Sequence, residues 1–112
     1  MPPDRVRIQH MLDATQKALG FTRGRTRADL DEDEMFALAV VRLLEIIGEA
    51  AKHVSQPIRS LAPAIPWRQI AGTRDRLTHG YFDVDLDIVW SILTEDLPPL
   101  CTELERLLGH VE

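Results

Sequence analysis

The stretch MFALAVVRLLEIIGEAAKHV, residues 35–54, decides the fold. Phe36, Val40, Leu43, Ile47, Ala50 and Val54 recur at the three- and four-residue steps of one helix face. Ala37, Val41, Leu44, Gly48 and Ala51 widen that face, and Arg42, Glu45, Glu49 and Lys52 hold the opposite side. The spacing predicts one helix from about Asp33 to Val54. So broad an apolar face needs cover from more than one neighbouring helix. Gly48 costs about 1 kcal/mol of helix propensity against alanine, and it fits either close packing or a subunit contact.

On the N-terminal side, residues 4–20 carry apolar positions at a helical period, with Asp4 as N-cap and Gly20 as stop. The segment between, FTRGRTRADLDEDE, reads as a polar connector. Its arginines Arg23, Arg25 and Arg27 suit either phosphate contact or a solvated loop, and its acidic half suits the positive end of the next helix. On the C-terminal side, Pro57, Pro63 and Pro66 exclude one regular helix from Ser55 to Pro66. A helix then opens at Trp67 and ends near Gly80, with Trp67, Ile70, Ala71, Arg74, Leu77 and Thr78 on one side. In the last segment Asp85 is an N-cap, and Leu86, Val89, Trp90, Leu93 and Leu97 form a stripe. Leu100, Leu104, Leu107 and Leu108 continue it, and Pro98 interrupts the helix near Leu97. No segment shows strand alternation. The expected fold is a single all-α domain over residues 1–112, an antiparallel bundle of about four or five helices, whose broad stripes suit a homodimer.

Composition narrows the function. The chain has 112 residues and a formal net charge of -5, which excludes a generally basic nucleic-acid coat but leaves room for a local basic cleft. Aromatic residues make up 5%, too few for a broad base-stacking surface. The single cysteine, Cys101, excludes an intrachain disulfide and any site needing several cysteine ligands. It sits among apolar neighbours and reads as a small buried hydrophobe. No apolar signal segment opens the sequence and no run is long enough to cross a bilayer, so the expected location is cytoplasmic, away from membranes.

The densest reactive stretch is RDRLTHGY, residues 74–81. Asp75 and His79 are four residues apart and would face each other on one helix, whereas Arg74 and His79 would be separated by about 140 degrees. These residue types suit RNA cleavage without a metal. His79 can take a proton from a 2′-hydroxyl or give one to the departing 5′-oxygen. Arg74 can pair with phosphate oxygens and stabilise transition-state charge. Asp75 can orient His79 or an arginine, Arg76 adds local positive charge, and Tyr81 offers a phenol to phosphate or to modification. The same residues also admit a purely structural role, with His79 capping a helix and Arg74 and Arg76 paired to Asp75, Asp83 or Asp85.

The stretch resembles the motif of the HepT-like toxins of the HEPN superfamily: arginine, four residues, histidine, one residue, tyrosine. Here it reads Arg74, DRLT, His79, Gly80, Tyr81. IIGEAAKHVS at residues 46–55 and IPWRQIAGTRDRLTHGYFDVDLDIVW at residues 65–90 resemble the family's surrounding blocks, and the likeness runs from Arg5 to Leu108. The resemblance implies an α-helical homodimer with the active cleft at the subunit interface, and Arg74 and His79 as the catalytic pair. It implies an RNA substrate, no cofactor, and a small nucleotidyltransferase antitoxin as partner. In some systems that partner uses ATP to attach AMP to the motif tyrosine, here Tyr81. The added phosphate beside Arg74 and His79 would repel RNA. Many members carry asparagine after the motif arginine, where this chain has Asp75. A carboxylate there pairs with Arg74 or Arg76, favours the imidazolium form of His79 and repels RNA.

Other patterns are weaker. Glu45, Glu49 and His53 are metal-ligand types at four-residue spacing, but no second Glu-x-x-His helix completes a di-iron set. Trp67 and Trp90 suit core or interface anchors. The alternative to a ribonuclease is a non-catalytic helical partner that binds a nucleotidyltransferase or a nucleotide. A third reading is a plain dimerisation module.

Overall fold

The computed structural model describes residues 3–79 and 83–111, without the side chains of Pro3, Thr78 and His79. Its central helix, Glu34–Lys52, follows from the stripe at residues 36–54. Phe36, Val40, Leu43, Leu44, Ile47, Gly48, Ala50 and Ala51 are all buried. The Asp33 carboxylate accepts from the Phe36 N–H at 3.1 Å and so caps the first turn. That bond, with Arg25 3.1 Å away, holds the Asp33 carboxyl below its ordinary range. At the other end Arg59 donates to Val54 O at 3.0 Å and to Ala51 O at 2.8 Å, satisfying carbonyls left open where the helix stops.

In chain order the helices are α1 (Pro3–Thr22), α2 (Arg27–Glu32), α3 (Glu34–Lys52), α4 (Gln56–Arg59), α5 (Trp67–Ala71) and α6 (Thr73–Leu77). Two short strands follow, β1 (Thr78–His79) and β2 (Asp83–Val84), then α7 (Leu86–Ser91), a π-helical turn at Ile92–Asp96, and α8 (Leu97–Leu108). The all-α expectation holds in the main, with eight α-helical segments among the described residues. The core lies where α1 covers α3 and α8 covers α1, while α5 and α6 close over the far side of α3. Ile8, Met11, Ala18, Val40, Ala51 and Leu104 are wholly buried there.

Several expectations shift, each for a local reason. α1 starts before Asp4, whose carboxylate instead accepts from the Ser55 N–H at 2.7 Å and the Ser55 hydroxyl at 2.8 Å. Asp4 therefore anchors the loop after α3 rather than capping its own helix. Gly20 does not stop α1; the left-handed turn falls at Gly24, with φ 76°. The polar connector contains α2, whose Leu30 is buried and whose Asp29 carboxylate accepts from the Thr26 N–H at 2.8 Å. With one buried apolar residue in that turn, periodicity carries no signal. The helix expected from Trp67 to Gly80 breaks at Gly72 and ends at Leu77, after which β1 pairs antiparallel with β2. The Asp85 N–H donates to Leu77 O at 2.7 Å and extends that pairing to the end of α6. Gly80 itself lies outside the described residues.

The C-terminal expectations hold. Asp85 caps α7, accepting from the N–H groups of Asp87 at 3.0 Å and Ile88 at 3.1 Å. The interruption before Pro98 takes the form of a π turn in which the Leu97 N–H donates to Ile92 O. Pro98 and Pro99 have no N–H, so the wider turn lets α8 restart with both prolines at its beginning. Trp67 is buried, with its indole N–H on Ala62 O at 3.1 Å, as a core anchor should be. Among the described residues no helix is long and apolar enough to cross a membrane.

Gly48 marks close packing within the chain. A Cβ there would stand 2.8 Å from the Ile70 carbonyl oxygen. Gly48→Ala is therefore expected to destabilise by about 1 kcal/mol or more despite its better helix propensity, because the contact is backbone and α5 must move away. Denaturant unfolding checks this; a raised midpoint would refute it. Asp33→Ala is expected to lower the melting temperature at neutral pH. The Asp33 carboxyl is depressed, so its contribution is complete above the ordinary carboxylate pKa and fades as pH falls through the lowered value. The gap in melting temperature between parent and variant should close at acid pH.

Candidate functional site

Arg74 stands on the exposed side of α6, because Thr73 and Leu77 take the inward positions of that short helix. It opens on a shallow hollow of about 80 Å³ against α3, whose floor includes Gly48 and Ala71 and whose walls include Arg42, Glu45, Glu49 and Lys52. The small floor residues let α3 and the α5–α6 corner approach closely, and that approach brings the Arg74 guanidinium to the polar face of α3. Ion pairs along this face are long: Arg42 to Glu45 and Lys52 to Glu49 are both 3.7 Å, and His53 to Glu49 is 3.4 Å. Such solvated pairs stabilise little and hold their cations loosely.

Asp75 and Arg76 are exposed on the same helix. No ion pair joins Arg74 or Arg76 to Asp75 or Asp83 among the described residues, so both guanidinium groups stay available to an anion. Two residues of helix turn Arg76 about 200 degrees from Arg74. Arg76 lines a different cleft, of about 200 Å³, floored by Ile65, Ile70, Leu97 and Leu100. His79 is not on a helix. Its backbone lies in β1 opposite Asp83, so the helical facing of Asp75 and His79 and the helical angle from Arg74 do not apply. Gly80 and Tyr81 lie outside the described residues.

The arginine-rich loop has other work. Arg25 pairs with Asp33 at 3.1 Å and lies over the Phe36 ring, 4.5 Å from its centre. Arg27 bridges Asp31 at 3.0 Å and Asp87 at 2.8 Å, and the hydrogen bond it donates to Asp87 holds its guanidinium above the ordinary value. These two fix α2 to α3 and to α7. Arg42 and Lys52, read from the sequence only as a polar face, are the cations that join Arg74. Their signal was present as a charged strip at three- and four-residue steps, but nothing in the sequence placed α6 beside it.

The remaining candidates are structural. Cys101 is half-buried, and burial, then Glu105, pushes its thiol up, away from the nucleophilic thiolate. His110 contacts Arg106 O at 2.9 Å at the end of α8. Glu45, Glu49 and His53 make no metal group: among the described residues no three of His, Cys, Asp or Glu are placed to hold an ion.

Comparison with known proteins gives the family. The family model described as "Ribonuclease HepT-like" matches residues 11–107. "Probable ribonuclease HepT" of Thermococcus cleftensis is 39% identical over 100 residues, covering 89% of this chain and 91% of that protein. "Putative RNase MJ1380" of Methanocaldococcus jannaschii is 34% identical, covering 88% of this chain and 90% of its own length. "Putative RNase TTE0752" of Caldanaerobacter subterraneus is 33% identical, covering 96% of both chains. No solved structure matches. The matched span takes in α3, the exposed Arg74 and the motif through Tyr81, and the chain belongs to the ribonuclease HepT-like family.

Proposed function

We propose that this chain is a metal-independent endoribonuclease toxin of a type II toxin-antitoxin system. The observation that carries the reading is Arg74, exposed and without an ion pair among the described residues, inside a family of ribonucleases. In the proposed reaction the RNA 2′-oxygen attacks the adjacent phosphorus while His79 takes the hydroxyl proton. The phosphorus–5′-oxygen bond breaks, leaving a 2′,3′-cyclic phosphate, and a protonated imidazole supplies the proton that the departing oxygen needs. Arg74 balances charge on the phosphate oxygens, with Arg76 and Asp75 tuning the field around it and Tyr81 hydrogen-bonding phosphate.

The second imidazole comes from a second copy, which makes the active form a homodimer with the cleft between subunits. The N-terminal end of the outer face of α3 supports this: Met35 is 83% exposed and Leu38 64%, unusual for large apolar side chains. Met35, Leu38 and Arg42 follow one another at helical steps, so an apolar patch leads directly into the hollow that holds Arg74. The proposed antitoxin is a nucleotidyltransferase. It would catalyse attack of the Tyr81 phenol oxygen on the α-phosphorus of ATP, releasing pyrophosphate and leaving AMP, with its negative charge, at the motif.

In EDTA the purified chain is expected to cleave RNA, and His79→Ala to slow cleavage by about 10²-fold or more with unchanged circular dichroism. Arg74→Ala should cost a similar factor. Intact RNA with wild type, together with a stable nucleotidyltransferase complex, would support the non-catalytic partner instead. Induced expression should arrest growth only with His79 present and only without the partner gene. After treatment with the partner and ATP, the peptide carrying Tyr81 should gain the mass of AMP, and Tyr81→Phe should gain nothing.

A further inference from the structure

The hollow at Arg74 does not end at Lys52. Arg42 and Glu49 line it and also line a second hollow of about 260 Å³ on the other flank of α3, where Arg7 and His10 of α1 meet His53. The two hollows share these residues and so lie end to end across the exposed face of α3, a stepped furrow from α6 to α1. Arg7, Arg42, Lys52 and Arg74 face Glu45 and Glu49 there, a balance of +2 on a chain of net charge -5. Two features set this furrow apart from ordinary charged surface. Its cations are weakly held, since the nearest carboxylate to Arg42 is 3.7 Å away. Arg7 Nε is buried without any hydrogen-bond acceptor, and no ion pair holds the Arg7 guanidinium among the described residues.

We infer that this furrow is the track along which single-stranded RNA lies as it approaches Arg74, with Arg42 and Arg7 holding successive backbone phosphates. The inference rests on the ribonuclease reading and names a binding subsite for it. A polyanionic strand needs cations in a row, not one deep pocket, and the stretch of α3 from Arg42 to Lys52 spans about 15 Å. Ile46 and Ala50 line the furrow near Arg7 and give apolar surface against which a ribose or base edge can rest. The arginines of the 23–27 loop do not compete for this role, because Arg25 and Arg27 are already paired.

The test titrates a dye-labelled, mixed-sequence, single-stranded oligoribonucleotide with the full chain carrying His79→Ala, followed by fluorescence anisotropy, and assays wild-type cleavage of the same RNA in parallel. Arg42→Ala and Arg7→Ala, each added to His79→Ala, are expected to weaken binding about 3- to 10-fold at low salt. Each should lower the slope of log affinity against log salt by about one. Arg106→Ala, on α8 and outside both hollows, should match the parent. The Arg42 side chain is 71% exposed, so its variant keeps the test valid if Arg7→Ala fails to fold. Wild-type cleavage combined with unchanged affinity and salt slope for Arg42→Ala overturns the track and leaves the ribonuclease standing. An RNA that the wild type does not cut and the His79→Ala chain does not bind overturns both.

Discussion

The close approach of α3 and the α5–α6 corner depends on one missing methyl group. Gly48 lets the Ile70 carbonyl come within 2.8 Å of where a Cβ would be, and Thr73 fills the space beside it. The Thr73 hydroxyl donates back to that same carbonyl at 2.6 Å, so the oxygen is satisfied although it is buried against a helix. The position of Arg74 follows, since it is the residue next to Thr73 and faces outward as Thr73 faces in. Both the packing of the domain and the placement of its candidate cation thus rest on a glycine that weakens its own helix.

A second set of contacts holds the helix ends. Asp4 anchors Ser55, and Arg59 covers the carbonyls at the end of α3. Arg5 donates to Leu108 O at 3.2 Å and Val111 O at 2.7 Å. None of these pairs is local in sequence except those of Arg59. Charged side chains at the start of α1 therefore close helices that lie far along the chain, and they account for polar groups that the apolar stripes leave open.

That division explains what the sequence could tell. The stripe of α3, the Asp85 cap and the interruption before Pro98 were legible, because each rests on spacing or on one residue's covalent character. α2 was not, since Leu30 is its lone buried residue. The break at Gly72 was hidden because Trp67, Ile70 and Leu77 fit one helix as well as two. Strands of two residues have no alternation to read. At the site, the motif named Arg74 and His79 directly, but its cationic neighbours Arg42 and Arg7 come from α3 and α1. Their meeting is a product of tertiary packing, as is the pairing that removes Arg25 and Arg27 from consideration.

The bond between Arg5 and Val111 spans 106 positions, and α8 is the cover for α1. During synthesis, α1 is made first and can pack on α3, but its second cover is missing until residues 97–111 leave the ribosome. Contacts so distant in sequence form late, after the cost of closing a long loop has been met. A chain cut short by the last helix would lose Leu97, Leu100, Leu104 and Leu107 from the core. Timing is thereby built into the topology: the bundle is closed only when its last helix has left the ribosome.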